Sequence, residues 1–324
     1  MKKILTIIVF GIINIFITYS QNKLYFNNDG KFKIIQFTDI HYIHNDPRSF
    51  TALENIKNVL SIEKPDLIII TGDIIFGKPA AESFKDVLNT INSFDIPFAF
   101  TFGNHDNEHE LSNNKLYQIS KYYKNNITGD YESSSDYVLK IYSSKDSKKC
   151  SGILYCMDSH SYAQDKNIGG YAWFTLQQLN WYRNVSNDIK TEEKSNLPAL
   201  AFFHIPLPEF KYALYENAPL IGTYLEKVCS PELNTGLFAT MRLQGDIMGI
   251  FVGHDHDNDF AVYYKNILLC YGRYSGGNTV YNHLPNGARV IEMYNGTRSF
   301  KSWIRLNNGQ KQNEIFYPDS FLKK

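Results

Sequence analysis

The sequence has little cysteine and no excess of charge of either sign. Four cysteines in 324 residues are too few for a disulfide-stapled scaffold, and none has the CxxC spacing of a zinc knuckle. Lys and Arg total 33, as do Asp and Glu, so the net charge is zero. Because a nucleic-acid coat normally carries a basic excess, we expect no stable nucleic-acid partner.

Glycine and proline are present in ordinary amounts, 20 and 11 residues, and no heptad or longer repeat is visible. The lack of a glycine or proline excess excludes a collagen-like chain, and the lack of a repeat excludes coiled-coil and repeat architectures. What remains is a globular chain that is 43% hydrophobic and 15% aromatic. With no break in composition after the N terminus, we predict one domain over residues 21–324, with a core at about 31–294 and a short C-terminal extension.

The N-terminal segment differs from the rest of the chain. Lys2 and Lys3 precede an apolar run at 4–17, which is interrupted by Asn14 and is shorter than the roughly 18 residues of a membrane span. Small polar residues then lead to Gln21, as at a signal-peptidase site. We predict a signal peptide at 1–20, export to the periplasm or the medium, and no permanent membrane anchor.

An oxidising compartment permits one or two disulfide bridges among the exported cysteines, and the sequence leaves their pairing open. The four candidates are Cys150, Cys156, Cys229 and Cys270. Removal of the signal peptide takes away two lysines and no acid, so 31 basic and 33 acidic residues remain in a nearly neutral chain.

The order of apolar runs predicts an α/β fold. Strands at 32–37, 67–71 and 98–102 alternate with helices at 49–62 and 80–91. Later strands are predicted at 247–252, 260–264, 267–270, 289–293 and 300–304, and turn residues at 265–266 and 295–296 indicate antiparallel hairpins. Together they favour a mixed sheet or two packed sheets with helices on the outer faces.

Polar side chains of ligand type follow five predicted strands, those at 32–37, 67–71, 98–102 and 247–252 and one more at 199–203. These side chains are Asp39, His41, Asp73, Asn104, His105, Asp106, His204, His254 and His256. A single Asp-x-His or Gly-Asp pair often forms only a turn or a helix cap, but five such groups in this order indicate one site. In open α/β sheets, ligands bind at the carboxyl ends of the strands.

Carboxylate, imidazole and amide groups without thiolates suit a catalytic site for Zn, Mn or Fe. Two Asp, one Asn and four His exceed the three or four protein ligands that one open site needs. A carboxylate can bridge two ions about 3.5–4 Å apart. We therefore predict two divalent or trivalent ions of unknown identity.

These motifs resemble those of the calcineurin-like metallophosphoesterase superfamily: Asp-x-His, Gly-Asp, Gly-Asn-His-Asp/Glu, a lone His and Gly-His-x-His. The resemblance extends from residue 31 to about 293. Asp158-Ser159 and Gly170-Tyr171-Ala172-Trp173 are similar to the small purple-acid-phosphatase-like branch. The family implies a four-layer αββα sandwich with a dinuclear metal site at one edge.

The resemblance also implies roles for individual residues. One ion would be held by Asp39, His41, Asp73 and His256, and the other by Asp73, Asn104, His204 and His254. His105 would contact the phosphate and protonate the leaving oxygen, and Asp106 would orient His105 by a hydrogen bond. Phe76 stands where purple acid phosphatases carry a tyrosine ligand, so the tyrosinate colour should be absent.

The expected function is that of an exported phosphoesterase which hydrolyses small phosphate esters, monoesters first, by in-line attack of a metal-bridging hydroxide. A phosphodiesterase or a nucleotide or nucleotide-sugar hydrolase is the alternative, with loops 107–136 and 205–235 deciding between them. A non-catalytic, metal-stabilised binding protein is a third possibility. Arg273 either binds phosphate from a pocket loop or serves at the surface. The oligomeric state stays open.

Overall fold

A computed structural model of the protein describes residues 23–145 and 147–322, so the predicted signal peptide lies outside the described residues. The described helices are α1 (Phe50–Glu63), α2 (Ala80–Asn92), α3 (Asn113–Ser120), α4 (Leu176–Glu193), α5 (Glu209–Tyr215) and α6 (Leu237–Gln244). None of the helices in these residues has the length and apolarity that crossing a bilayer requires.

Fourteen strands are described, and most coincide with apolar runs of the sequence. They are β1 (Leu24–Tyr25), β2 (Lys31–Phe37), β3 (Leu67–Thr71), β4 (Phe98–Thr101), β5 (Tyr137–Tyr142), β6 (Cys150–Cys156), β7 (Ala199–Phe202), β8 (Leu220–Ile221), β9 (Ile247–Val252), β10 (Ala261–Tyr264), β11 (Ile267–Tyr271), β12 (Gly287–Tyr294), β13 (Phe300–Leu306) and β14 (Lys311–Tyr317).

The strands form two sheets. One has six strands in the order β14-β13-β12-β2-β3-β4, and the other has eight in the order β1-β5-β6-β7-β9-β11-β10-β8. In the first sheet β2, β3 and β4 are parallel, and in the second β6, β7, β9 and β11 are parallel. The carboxyl ends of these parallel strands carry the predicted ligand residues.

Alternate side chains of the strands face different layers, as the two-residue period of a strand requires. On β2, Ile34 packs between the sheets with Phe202 of β7, whereas Ile35 packs against Ile56 of α1. On the far side, Tyr182 of α4 packs on the outer face of the eight-stranded sheet. The layers therefore run helix, sheet, sheet, helix, which confirms the predicted αββα class.

The C-terminal part differs from the sequence expectation. Strands β13 and β14 extend the six-stranded sheet, so the residues after 294 belong to the sheet and are not a short appendage. Only Ile315 and Tyr317 of β14 are buried. A polar edge strand of this kind has no alternating apolar pattern to reveal it.

The sequence predicts a helix near 175–185 followed by a charged linker at 188–196, but α4 continues to Glu193 and includes most of that segment. It begins at a capping box in which Thr175 and Gln178 exchange hydrogen bonds, and its buried face continues to Ile189. The charged residues lie on the opposite, solvated face, so a run of charge alone did not mark a linker.

All four cysteines lie among the described residues, and each is a free thiol. The bridge that the sequence left open is therefore not formed. Cys156 and Cys270 are buried in neighbouring parts of the core between the sheets, and burial raises the pKa of each thiol to about 12. They behave as small apolar side chains.

Candidate active site

The predicted ligand residues meet where the carboxyl ends of the two sheets adjoin. Asp39 and His41 follow β2, while His256 follows β9 on the other sheet, and the ligand atoms of these three lie within 4.8 Å of one another. A second cluster with the same spacing contains Asp73 after β3, His204 after β7 and His254 after β9. Each sheet therefore contributes to both clusters.

In the first cluster, Nε2 of His41 and Nε2 of His256 are 3.1 Å apart. Oδ1 of Asp39 lies 3.9 and 3.8 Å from these two atoms. Nitrogens that each lie about 2.0–2.1 Å from a shared ion are separated by roughly 3 Å. Both imidazoles are therefore spaced as ligands of one ion.

In the second cluster, Nε2 of His204 lies 3.1 Å from Oδ2 of Asp73 and 3.2 Å from Oδ1 of Asn104. Asn104 thus stands beside the second cluster, as the resemblance implies. The same Asp73 oxygen is 3.6 Å from Nε2 of His41 in the first cluster. One carboxylate therefore faces both sets of histidines.

Backbone carbonyls fix the orientation of two of these histidines. Nδ1 of His204 lies 2.8 Å from the carbonyl oxygen of Thr71, and Nδ1 of His256 lies 2.8 Å from that of Tyr281. Because a carbonyl can only accept, each Nδ1 carries the hydrogen and donates it. The Nε2 atoms are then left with a lone pair, as metal-binding histidines require.

Buried polar atoms without partners indicate that the clusters fit cations. Nε2 of His254 has no hydrogen-bond partner among the described residues, and Oδ2 of Asp73 has none with acceptable geometry. Both side chains are buried, and an unsatisfied buried polar group costs about 1–3 kcal/mol. A metal ion in the second cluster would satisfy both atoms, and the first cluster supplies another set of ligands, so the residues fit a dinuclear centre.

The charges of the clusters agree with this fit. Burial lowers the pKa of His41 and of His254 well below the ordinary range, which keeps both imidazoles neutral. Burial would raise the pKa of Asp73, but its interactions with His204 outweigh burial and hold it well below its usual value. Neutral imidazoles around a buried carboxylate are a donor set for cations.

The backbone of this edge is strained at the ligands. Four of them have left-handed φ angles: Asp39 (52°), His41 (45°), Asp73 (50°) and His254 (80°). Residues other than glycine rarely adopt this conformation, and its cost is accepted mainly at functional sites. Gly103 is required for a different reason, since a Cβ there would lie 2.2 Å from Oδ1 of Asp73.

The predicted role of Asp106 is wrong. Its carboxylate does not bond His105 but accepts hydrogen bonds from four backbone amides, those of Asp73 (3.0 Å), Ile74 (2.7 Å), Ile75 (3.1 Å) and Gly103 (2.8 Å). Asp106 is buried between the loops that follow β3 and β4. It accepts hydrogen bonds from backbone N–H groups of both loops and so holds them together.

His105 lies beside the clusters but belongs to neither. Its backbone amide donates to Oδ1 of Asp73 at 2.8 Å, and its ring centre lies 5.4 Å from that of His41. Nδ1 of His105 is 2.5 Å from Oε2 of Glu108, a residue that sequence reasoning missed. Glu108 is three residues further along an irregular loop, where no periodic pattern could single it out.

Aromatic rings line the clusters. Tyr171 stands edge-on to His254 with ring centres 4.3 Å apart, and Tyr281 stacks on His256 at 4.6 Å. Phe76 lies edge-on to His41 at 5.2 Å, so an apolar ring occupies the position of the tyrosine ligand of purple acid phosphatases.

Arg273 neither lines a pocket nor lies at the surface, because it is buried and pairs with Asp259 at 3.0 Å.

Comparison with known proteins adds to this geometry. Residues 32–258 match the family model described as calcineurin-like phosphoesterase. The chain is 30% identical to the probable inactive purple acid phosphatase 29 of Arabidopsis thaliana, over 90% of this chain and 86% of that protein. It is 31% identical to phosphatase DCR2 of Saccharomyces cerevisiae over 93% of this chain, and spans 57% of the yeast protein's length.

A solved structure shares the fold. The dimetal phosphatase from Danio rerio superposes with a TM-score of 0.60 at 12% identity, covering 88% of this chain and 98% of the fish protein. The region that matches the family model, residues 32–258, contains both ligand clusters and the strands that carry them. The chain therefore belongs to the calcineurin-like phosphoesterase family.

Proposed function

We propose that this chain is an exported, metal-dependent phosphomonoesterase that hydrolyses small phosphate esters at the two clusters. The proposal rests on the position of Asp73. Its Oδ2 lies 3.1 Å from Nε2 of His204 and 3.6 Å from Nε2 of His41. A carboxylate shared in this way is the element that couples two metal ions at one substrate phosphate. The Arabidopsis and yeast relatives described above are both named phosphatases, the plant protein as a probable inactive one.

Two bound cations would lower the pKa of a shared water toward neutrality and offset charge on the phosphoryl oxygens. Asp39 and Asp73 are the charged ligands, and the histidines bind as neutral groups. The loaded site would thus keep a net positive charge, which attracts a phosphate dianion. Strained backbone holds the ligands in place before substrate arrives.

His105 is the residue placed to handle the proton of the leaving group. It lies next to the clusters and is partly exposed, so an ester oxygen can reach it. Its Nδ1 is engaged by Glu108, which leaves Nε2 as the ring nitrogen that faces a substrate. Proton donation to a departing alkoxide is general acid catalysis.

Carboxylates beside the clusters favour a small monoester over a nucleotide. Glu108 bonds His105, and Tyr281, which stacks on His256, donates its hydroxyl to Glu226. A leaving group with further phosphates would meet these negative charges. Arg273 offers it no counter-charge, because it is buried against Asp259.

Substrate profiling of the full chain tests the proposal. We expect metal-dependent hydrolysis of p-nitrophenyl phosphate with Mn, Fe or Zn, at least about tenfold faster in kcat/KM than that of bis-p-nitrophenyl phosphate or ATP. A preference for the diester or for ATP would replace the monoesterase with the alternative hydrolases. Metal binding without hydrolysis of any ester would instead indicate a binding protein.

Export rests on the N-terminal sequence alone and is tested separately. Two lysines, an apolar run and a small-residue site support cleavage after residue 20. N-terminal sequencing of the protein recovered outside the cytoplasm should begin at Gln21. Full-length protein retained in the cytoplasm would contradict export.

A further inference from the structure

Glu108 contacts two side chains beside the metal clusters. Its Oε2 lies 2.5 Å from Nδ1 of His105, and its Oε1 accepts a hydrogen bond of 2.8 Å from the hydroxyl of Tyr162. Both carboxylate oxygens are therefore engaged by side chains. Glu108 caps no helix, and its side chain accepts no backbone amide among the described residues.

The Tyr162 hydroxyl links Glu108 to the metal clusters. It accepts a hydrogen bond of 3.2 Å from the side-chain amide of Asn104, while the ring of Tyr162 stacks on that of Tyr171 with centres 5.7 Å apart. Tyr171 in turn packs against His254. The position of Glu108 is thus set by groups that also surround the second cluster.

The acid next to His105 in the motif is not the one that contacts its ring. Asp106, adjacent to His105, is fully committed to four backbone amides. Glu108 and His105 are instead both partly exposed at the mouth of the site, with side-chain exposures of 31% and 27%. The carboxylate that contacts the imidazole is the one three residues later.

We propose that Glu108 is a positioning residue for His105: it holds the Nδ1 hydrogen, so that Nε2 presents its proton to the leaving oxygen. This inference rests on the proposed function. A carboxylate on one ring nitrogen fixes the tautomer and the orientation of an imidazole.

The step balances within the hydrolysis itself. The oxygen of water bonds to phosphorus as the bond from phosphorus to the leaving oxygen breaks. The leaving oxygen takes the proton from Nε2 of His105, and the neutral imidazole keeps its Nδ1 hydrogen on Glu108. The proton released from water restores the protonated imidazole for the next turnover.

Leaving groups that differ in their need for a proton test this role. Phenyl phosphate releases a basic phenolate, whereas 2,4-dinitrophenyl phosphate releases a stable anion that needs no proton. For Glu108→Gln we expect kcat on phenyl phosphate to fall about 10–100-fold with little change in KM. On 2,4-dinitrophenyl phosphate the fall should be less than about threefold.

Glu110→Gln is the matched control. Glu110 lies in the same loop but accepts a hydrogen bond from the backbone amide of Ala80, so its loss should not change the ratio between the two esters. In a His105→Ala background, Glu108→Gln should cause no further loss, because the two residues act as one unit. Elemental analysis should find the wild-type metal content in Glu108→Gln.

Equal losses on both esters, additive effects with His105→Ala, or metal loss in Glu108→Gln would each overturn the inference. If Glu108→Gln does not fold, Tyr162→Phe provides the test: it removes one hydrogen bond to Glu108 and should show the same ester selectivity at smaller size. A wild-type chain that hydrolyses neither ester would instead refute the proposed function.

Discussion

The carboxylate of Asp106 accepts a hydrogen bond of 3.0 Å from the backbone amide of Asp73. The carboxylate that faces both ligand clusters is therefore held in place, through its own backbone, by an acid of a different motif. The same Asp106 side chain bonds Gly103 at 2.8 Å, so it joins the loops that follow β3 and β4. This contact makes Asp106 a structural residue of the site.

Replacement of Asp106 should reduce stability and activity together. Asp106→Asn leaves at least one buried amide facing an NH2 group, and each unsatisfied donor costs about 1–3 kcal/mol. We expect lower stability in chemical unfolding and similar rate losses on phenyl and 2,4-dinitrophenyl phosphate. Asn107→Ala, at the exposed neighbouring position, is the control. Unchanged stability with a loss confined to phenyl phosphate would restore Asp106 as the partner of His105.

Asp73 and His105 should separate metal binding from proton transfer. Asp73→Ala removes the carboxylate shared by both clusters, so we expect loss of both ions and a rate decrease of at least about 10³-fold. His105→Ala should keep its metal and lose rate on phenyl phosphate, because His105 belongs to neither cluster. Elemental analysis of the two variants checks both expectations, and metal loss in His105→Ala would contradict the separation.

A buried acid far from the site should govern acid stability. Glu63 at the end of α1 accepts hydrogen bonds from Nε1 of Trp303 at 2.9 Å and from Nε of Arg305 at 2.7 Å. Burial would raise the pKa of Glu63, but these hydrogen bonds outweigh it and hold the pKa below its usual value. The stabilisation is therefore present above the ordinary pKa of about 4.3 and is lost as the pH falls through the lower folded-state value.

Glu63→Gln should accordingly lower the free energy of unfolding by about 1–3 kcal/mol at pH 7. The difference from wild type should shrink as the pH falls below about 4. Unfolding curves from pH 3 to 7 measure it, with Glu54→Gln on the exposed face of the same helix as control. A difference that stays constant across this range would show that the charge of Glu63 is not the cause.

The iron-loaded protein should lack the visible absorption band of an iron–tyrosinate bond. Phe76 lies against His41 and has no hydroxyl to offer. Tyr171 and Tyr281 contact the histidines through their rings, and burial raises the pKa of both phenols. A visible spectrum of the iron-loaded chain checks this, and an intense band that disappears in Tyr171→Phe or Tyr281→Phe would identify a tyrosine ligand after all.

The sequence predicted the metal-ligand residues because they directly follow buried apolar strands. Asp73 comes after the fully buried run Leu67–Thr71, and the carboxyl ends of parallel strands necessarily share an edge. The four-layer fold came from the family resemblance, which the structure confirms. Strand β14 escaped prediction because its polar pattern matches an edge strand no better than a loop.

Side-chain partners in irregular loops could not be predicted in the same way. Both Asp106 and Glu108 stand near His105 in sequence, and only the path of the loop decides which of them reaches it. That path is tied to the hydrogen bonds that draw Asp106 onto the backbone amides of the loop after β3, which is distant in sequence. Tertiary contacts impose it, so the orienting acid became visible only in the structure.

The central claim is tested most directly by titrating the metal-free full chain with Mn, Fe or Zn. Bound ions and the release of p-nitrophenol from p-nitrophenyl phosphate are measured in the same samples. We predict that two ions bind per chain, that hydrolysis rises with the second ion, and that Asp73→Ala shows neither. Two bound ions without hydrolysis, or hydrolysis that persists in Asp73→Ala, would contradict a phosphoesterase built on the shared carboxylate.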